Sequence, residues 1–582
     1  MRVGLLTEGG YPYVDGDAGL WCDRLVRGLG QHEFDVYALS RDERQEAQGR
    51  VPLPPQVRRV RTAPLWTAED DGTAYGRRAR RRFTEAYGEL AAVLCAGSTE
   101  AAPPAPAARA ERAEETSAPQ ADRFANALYG LAELARAEGG LAGALRSETA
   151  VRTLERACRA PGAPRTAREA RVPELLTVAA HLERALRPLS LRWYEDDGLG
   201  SADLCHATSG GAAALPGLLA RHFHGVPLLV TEHRVRLRTH YLAATDAAPA
   251  VRALVAAFHA RLAAEIYRRA ERITPGNAHA RRWQERCGAD RARLHTVHPG
   301  MDATPFTEVG EAPDTADPGT LVWVGRIEPA KDLVSLLHAF AQIRTQAPNA
   351  RLRILGAPTG AEGAAYLAHC RALAAQLFPD EAEGPHAVGD NPVCFAEIGG
   401  PEAPTPAEAY ASGAVTVLSS VVEGWPVSLV EAMLCARATV STDVGAVVEV
   451  IGGTGLVVPP RNPRALAEAC VALLRDPERR ARLGAAARAR ALELFTVEQN
   501  VAAFHRLYLE TVARCPVRRV VLDADGEPLP FAVPAEARMA GRWTDPALRG
   551  VARRGAGWAG QRAPVRARAA AVAAVPGVEG AR

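Results

Sequence analysis

Of the 70 Lys and Arg residues in this 582-residue chain, one is lysine. That residue, Lys331, lies in Gly325-Arg326-Ile327-Glu328-Pro329-Ala330-Lys331-Asp332, directly after an apolar run that reads as a strand. Arg326 and Lys331 thus fall at a strand-to-helix turn, where two cations beside a helix N-terminus make a cradle for a diphosphate. A compact ammonium kept in a chain otherwise written in arginine suggests a place that a planar fork would not fit. The other reading is a solvated helix start.

A second group of chemistry-bearing residues follows a later strand of the same half: Glu423, then Gly424-Trp425-Pro426-Val427, then Glu431 eight positions after the first carboxylate. Here the backbone turns on Gly and Pro, and a helix begins with unpaired N–H groups. Carboxylates beside such an anion site would repel phosphate, so they suit the neutral hydroxyls of a sugar or a ribose. Ser428-Leu429-Val430-Glu431 is equally a capping box, in which Glu431 would only return a bond to the Ser428 backbone.

In the first half, Glu8-Gly9-Gly10-Tyr11-Pro12-Tyr13-Val14-Asp15-Gly16-Asp17-Ala18-Gly19 joins a strand to a helix and lets a ligand come close to the backbone near Gly16. His233 ends a central strand on the edge that such a ligand would face. His206, at the end of the preceding strand, reads as a packing residue or as a support for a neighbour.

Short apolar runs alternating with longer Ala/Leu/Arg helical patterns position these residues, and the alternation signals βαβ units and parallel sheets. Strands are predicted at 2–7, 34–39, 203–207, 227–231 and 293–297. The second half adds 320–325, 351–356, 393–396, 414–419, 438–442 and 455–458. Helices are predicted near 18–30, 212–222, 250–270 and 277–287. The expected fold is α/β, with two Rossmann-like doubly wound domains facing across a cleft. The first domain would span 1–307, with a helical and irregular insertion at about 96–190. The acidic, Pro/Gly-rich stretch 308–319 reads as a linker and 320–495 as the second domain. A helix at 496–515 would cross back to the first domain, and 516–582 would be a disordered tail.

The 70 basic residues face 67 acidic ones. No whole-chain field therefore recruits nucleic acid or acidic lipid. Ten scattered cysteines without a pairing rhythm suit a reducing compartment. No apolar run reaches the ~20 residues of a membrane span, and the expected setting is cytoplasmic, at most peripheral at the inner face of a membrane.

Gly325-Arg326 with Lys331, Glu423-x7-Glu431-Ala432-Met433, Thr442-Asp443-Val444-Gly445 and Gly455-Leu456-Val457-Val458-Pro459-Pro460 together resemble the nucleotide-sugar domain of family 4 retaining glycosyltransferases, which have the GT-B fold. EGGYPYVDGDAGLW and LLVTEH resemble the PelF-like branch of that family, which works in exopolysaccharide assembly. The resemblance implies transfer of a hexose from a nucleotide diphosphate sugar, UDP-linked, to a glycan, polysaccharide or small polyol. Arg326 and Lys331 would hold the diphosphate, Glu431 the ribose, and Glu423 the transferred sugar. The segment Gly424-Trp425-Pro426-Val427 would hold sugar and phosphate oxygens by its backbone, and His233 would contact the donor near the reaction centre. No cofactor is implied beyond the nucleotide sugar as co-substrate, and no metal, because the cations are built into the chain. A polysaccharide-export complex is a further implied partner. The sequence departs from the pattern at Gly16-Asp17, at Arg234 where glycine is common, and at 296–302, which lacks a usual Asn. These departures fall on the acceptor side. Alternatives are a catalytically silent sugar-nucleotide binder, a GT-B epimerase, and a phosphorylase-like protein using Lys331 for pyridoxal phosphate.

Overall fold

The computed structural model describes residues 1–13, 16–67, 71–96, 107–243, 247–312, 316–379 and 391–517. The stretch 518–582, nearly all of the expected tail, lies outside the described residues, as does 97–106 of the expected insertion.

Two six-stranded sheets organise the chain. The first contains β1 (Arg2–Glu8), β2 (Glu33–Ser40), β3 (Val57–Pro64), β4 (Leu204–Ala207), β5 (Leu228–Glu232) and β6 (Arg272–Pro275), in the order β3-β2-β1-β4-β5-β6. The second contains β7 (Thr320–Val324), β8 (Arg351–Leu355), β9 (Val393–Ala396), β10 (Val415–Leu418), β11 (Ala438–Thr442) and β12 (Leu456–Val458), in the order β12-β11-β10-β7-β8-β9. Every pairing is parallel. Counted from its own first strand, each sheet has a doubly wound order. The chain reverses direction across the sheet between β1 and β4 and again between β7 and β10. The strands read as near-continuous apolar runs because helices cover both faces: β4, β7, β10 and β11 are buried at every position.

Three strands differ from the sequence reading. β3 (VRRVRTAP) is not among the expected strands, since it runs along the sheet edge with half-exposed arginines that hide its apolar positions. β6 (RITP) is also absent from them, because it is four residues long and carries Arg and Pro. The predicted strand 293–297 forms only an isolated bridge, Ile273 with Leu294. Between β3 and β4 the chain is helical from Arg77–Cys95 onward, and Ala107–Glu138 is one helix over part of the stretch read as irregular. Phe83, Tyr87, Leu90 and Leu94 share one face of the first of these helices, and they join the core of the first sheet with Phe124, Leu128 and Leu131 of the second. A short helix, Thr307–Glu311, runs into the stretch read as linker.

The last described helix, Val497–Arg514, lays Phe504, Leu507, Tyr508 and Val512 in the same core as Leu25 and Val26 of the helix Gly16–Gly28, on one face of the first sheet. Its Asn500 accepts from Trp21 Nε1 (3.2 Å) and donates to the His298 carbonyl (2.7 Å). This helix follows the second sheet in sequence but packs on the first, so it ties the two units together. Among the described residues, no helix is long and apolar enough to cross a membrane.

Candidate functional site

The carboxyl ends of β7 and β10 carry the second sheet's chemistry. After β7 the chain makes a 3-10 turn, Pro329–Lys331, and then passes through Asp332 at φ 48°. Aspartate tolerates this left-handed conformation better than most residues. Its side chain caps the helix Leu333–Gln346 by accepting from Ser335 N (3.3 Å). After β10, Ser419 donates its hydroxyl to the Lys331 carbonyl (2.8 Å), and Val421 N donates to the Ala330 carbonyl (2.9 Å). These two bonds fasten the Lys331 turn to the Glu423 loop, although 92 residues separate the two side chains in sequence.

Lys331 Nζ donates to Glu423 Oε1 at 2.5 Å, and the same oxygen accepts from Ser420 Oγ at 2.7 Å. Both partners are largely buried, with side chains 13% and 8% exposed. Arg326 leaves the same turn exposed, with no ion-pair partner among the described residues. The cradle therefore holds one cation already fixed on a carboxylate and one cation free for an incoming anion.

The Thr442-Asp443-Val444-Gly445 segment braces this loop from below. Thr442 donates to the Ser420 carbonyl (2.6 Å), and Ala446 N donates to the Gly424 carbonyl (3.2 Å). Gly445 has φ 59°, and a Cβ there would sit 2.5 Å from the Glu423 carbonyl oxygen. Conformation and space both require glycine.

The capping box in the sequence does not form. The helix Val427–Leu434 takes Pro426 as its N-cap without a side-chain bond, and its first N–H groups turn to the backbone: Val427 N donates to the Trp425 carbonyl (3.0 Å), and Leu429 N and Val430 N donate to the Pro426 carbonyl (3.1 and 3.3 Å). Glu431 instead accepts from the buried Tyr410 hydroxyl at 2.8 Å, a partner on the helix Pro406–Ala411 that sequence spacing could not reveal. Trp425 packs on two other rings. It stacks on His298 (5.4 Å between ring centroids) and meets Phe495 edge-on (5.2 Å). Gly424 is open, with nothing within 4 Å of where a Cβ would be.

On the first sheet, His233 follows β5 and packs edge-on against Trp21 (5.0 Å). Both of its ring nitrogens are buried without a hydrogen-bond partner. Burial, reinforced by Arg234, lowers its pKa to about 4, so the ring is neutral near pH 7. A neutral imidazole with two unused nitrogens is matched to a ligand that both accepts and donates. His206 has no such capacity left. Its Nδ1 meets the Tyr508 hydroxyl (2.6 Å) and its Nε2 the Thr231 hydroxyl (2.7 Å), and burial lowers its pKa to about 3. It locks the last helix to β5 and is structural. Gly16 opens the helix Gly16–Gly28 after β1, and its neighbours Val14 and Asp15 lie outside the described residues.

Two contacts join the sheets at this edge. Arg238 Nη2, from the helix Arg236–Ala243 after β5, donates to the Glu423 carbonyl at 3.2 Å. Glu449 Oε2 accepts from Ala278 N at 2.6 Å, at the start of the helix Ala278–Arg286. His298 adds to the seam: Nδ1 lies 3.2 Å from the Gly276 carbonyl while the ring stacks on Trp425. The sequence reading missed Arg238, His298 and Glu449. Only the Thr-Val-His-Pro-Gly-Met-Asp segment offered a signal, and it pointed to a loop without naming its partner. Lys331, Glu423, Gly424 and Arg326 are thus brought to one edge and His233 to the facing edge, while Glu431 and Trp425 occupy the flanks.

Two parallel doubly wound sheets with their carboxyl edges joined in this way define the GT-B class of fold. The chain belongs to the family described as "Domain of unknown function (DUF3492)", which matches residues 1–292. Residues 318–476 match a second family, "Glycosyl transferases group 1". Among curated relatives, the D-inositol 3-phosphate glycosyltransferase of Kineococcus radiotolerans is 32% identical over 225 residues, 35% of this chain and 49% of that protein. The protein of the same name from Rhodococcus erythropolis is 30% identical over 288 residues, 47% of this chain and 60% of that protein. The chain thus spans about half the length of the first of these relatives. Sucrose-phosphate synthase from Thermosynechococcus elongatus shares the fold, with a TM-score of 0.51 and 17% identity over 88% of this chain and all of that one.

Proposed function

We propose that this chain is a retaining glycosyltransferase of the family 4, PelF-like type, moving a hexose from a nucleotide diphosphate sugar, UDP-linked, to a glycan, polysaccharide or small polyol. The carrying observation is the Lys331–Glu423 pair, set beside an unpaired Arg326 at the carboxyl ends of β7 and β10, where the chain reverses direction across the sheet. A doubly wound sheet binds ligands at this kind of place. The match of residues 318–476 to glycosyl transferases group 1 and the names of the partial relatives support the same reading.

The departing nucleoside diphosphate needs positive charge arranged in advance. Arg326, Lys331 and the backbone N–H groups of Gly424 and Trp425 supply it; Pro426 has none, and the Val427 N–H is taken by the Trp425 carbonyl (3.0 Å). Glu423, pinned by Lys331 and Ser420, presents its remaining oxygen to a sugar hydroxyl, and Glu431, oriented by Tyr410, takes the ribose hydroxyls. A hydrolase would set two carboxylates astride the bond, one as acid and one as base or nucleophile. Here Glu423 is held on a lysine and Glu431 on a tyrosine, and neither takes that role. The donor phosphate deprotonates the acceptor on the same face, with no covalent glycosyl-enzyme. His233 hydrogen-bonds the sugar as a neutral ring. Metal independence and work at a membrane-peripheral polysaccharide complex belong to the same proposal.

The test is a thermal-shift panel of nucleotide diphosphate sugars, in which a bound ligand raises the melting temperature by mass action. Turnover of the selected donor then follows, with and without EDTA, with the anomeric configuration of the product read by NMR. A donor that binds and is transferred with retention in EDTA is expected. Inversion, or a trapped glycosyl-enzyme, would overturn the mechanism.

A further inference from the structure

Arg236 and Arg238 leave the same short helix after β5 but have different fates. Arg236 is committed: it ion-pairs with Glu8 at the end of β1, and its backbone N–H donates to Glu232 Oε1 at 3.0 Å. Arg238 crosses to the other sheet and donates a single hydrogen bond, to the Glu423 carbonyl at 3.2 Å. Among the described residues, no carboxylate lies within ion-pairing distance of it. Glu423, the acidic group nearest in the loop it touches, is already engaged by Lys331.

The surroundings of Arg238 are otherwise positive. Desolvation and the neighbouring Arg234 lower its pKa, which Glu423 partly restores, and burial followed by Arg238, Arg282 and Arg286 lowers that of His279. His279 Nε2 is buried without a partner beside it. A half-buried guanidinium with one bond from five N–H donors, among like charges, is an unfavourable arrangement unless an anion joins it. The anion for which this edge is built, on the reading above, is the donor's diphosphate. Arg326 and Lys331 reach it from the second sheet, and the Glu423 carbonyl holds Arg238 beside the same loop.

We infer that Arg238 is the first sheet's contribution to the diphosphate site, clasping the distal phosphate from across the cleft so that the two sheets close on a diphosphate but not on a monophosphate. The inference rests on the proposed nucleotide-sugar function and adds to it a residue outside every motif that carries the family resemblance. It also gives the interface a purpose: charge on the donor draws the sheets together, and departure of the nucleoside diphosphate lets them part.

Wild-type protein is titrated by thermal shift and calorimetry with UDP, GDP and ADP and with the matching monophosphates, and the nucleotide that binds is carried forward. Arg238→Gln and Arg238→Lys are then compared with wild type. Arg238→Gln is expected to weaken the diphosphate about tenfold or more while leaving the monophosphate unchanged, and to lower kcat more than it raises the donor KM. Arg238→Lys, which keeps the charge but not the fork, should fall between. Equal weakening of mono- and diphosphate would mark a structural role and overturn the inference, as would a folded Arg238→Gln with wild-type affinity and kcat. If Arg238→Gln does not fold, Arg238→Lys with an unchanged diphosphate-to-monophosphate ratio overturns it. Wild type that binds none of the nucleotides would instead overturn the proposed function itself.

Discussion

Replacing Lys331 with methionine keeps the stem and removes the charge, leaving Glu423 as a largely buried carboxylate without its cation. Removing one partner of a buried pair costs about 3–5 kcal/mol. The Ser420 hydroxyl still donates to Glu423 Oε1 at 2.7 Å and offsets about 1 kcal/mol of that, so a net loss of about 2–4 kcal/mol is expected. For domains of this size each kcal/mol moves Tm by about 2–4 °C, which gives a fall of roughly 4–16 °C. The assay is thermal unfolding of Lys331→Met, Glu423→Gln and the double variant. The double should recover much of the loss, because a neutral amide in place of the Glu423 carboxylate no longer needs a cation. Strictly additive losses, or a single variant within about 1 °C of wild type, would refute the coupling of these two side chains. Lys331→Arg separates stability from function: the charge stays, so Tm should stay near wild type. A planar fork can still pair with Glu423 but spreads its charge away from the point where the compact ammonium holds it, 2.5 Å from Glu423, so donor use should fall at least tenfold.

Gly445→Ala should distort the Glu423 carbonyl it would clash with and strain φ 59°. The expected cost is about 1–3 kcal/mol of stability, read as a lower Tm, and a weaker response to donor; a Tm and donor response equal to wild type would contradict the packing described. Glu431→Gln should weaken nucleotide-sugar binding by about 10-fold or more, the value of a hydrogen bond to a charged group, measured by calorimetry, whereas Tyr410→Phe should show a smaller loss through misorientation of Glu431. His233 and His206 have pKa values lowered to about 4 and about 3, below an unfolded value near 6.5. Between those limits the unfolded chain binds more protons than the folded one, so these two rings make stability rise with pH and fall away as pH drops from about 6.5 toward 4. Tm measured against pH should show this slope, and a flat curve over that window would refute the burial assigned to both rings.

The sequence by itself determined the alternation of strand and helix, and with it two doubly wound units. All the predicted strands but 293–297 stand where their apolar runs lie, because strands covered on both faces must be apolar throughout. The failures have physical causes: β3 carries three arginines, two of them adjacent, at a sheet edge, β6 is too short to show a period, and 293–297 pairs only through the single bridge of Leu294 with Ile273. The motif residues at the ends of β7 and β10 were legible for the same reason that they are useful, since a turn at a strand's carboxyl end shows in local Gly, Pro and charge. The tertiary structure alone decided their partners. That Lys331 sits on Glu423, that Tyr410 rather than Ser428 holds Glu431, that Trp425 turns to His298, and that Arg238 reaches the Glu423 carbonyl are all pairings across tens to hundreds of residues. Period and spacing report only what lies within a turn or two along the chain. Partners brought together by sheet order and by the packing of one sheet's edge on another leave no mark at that range.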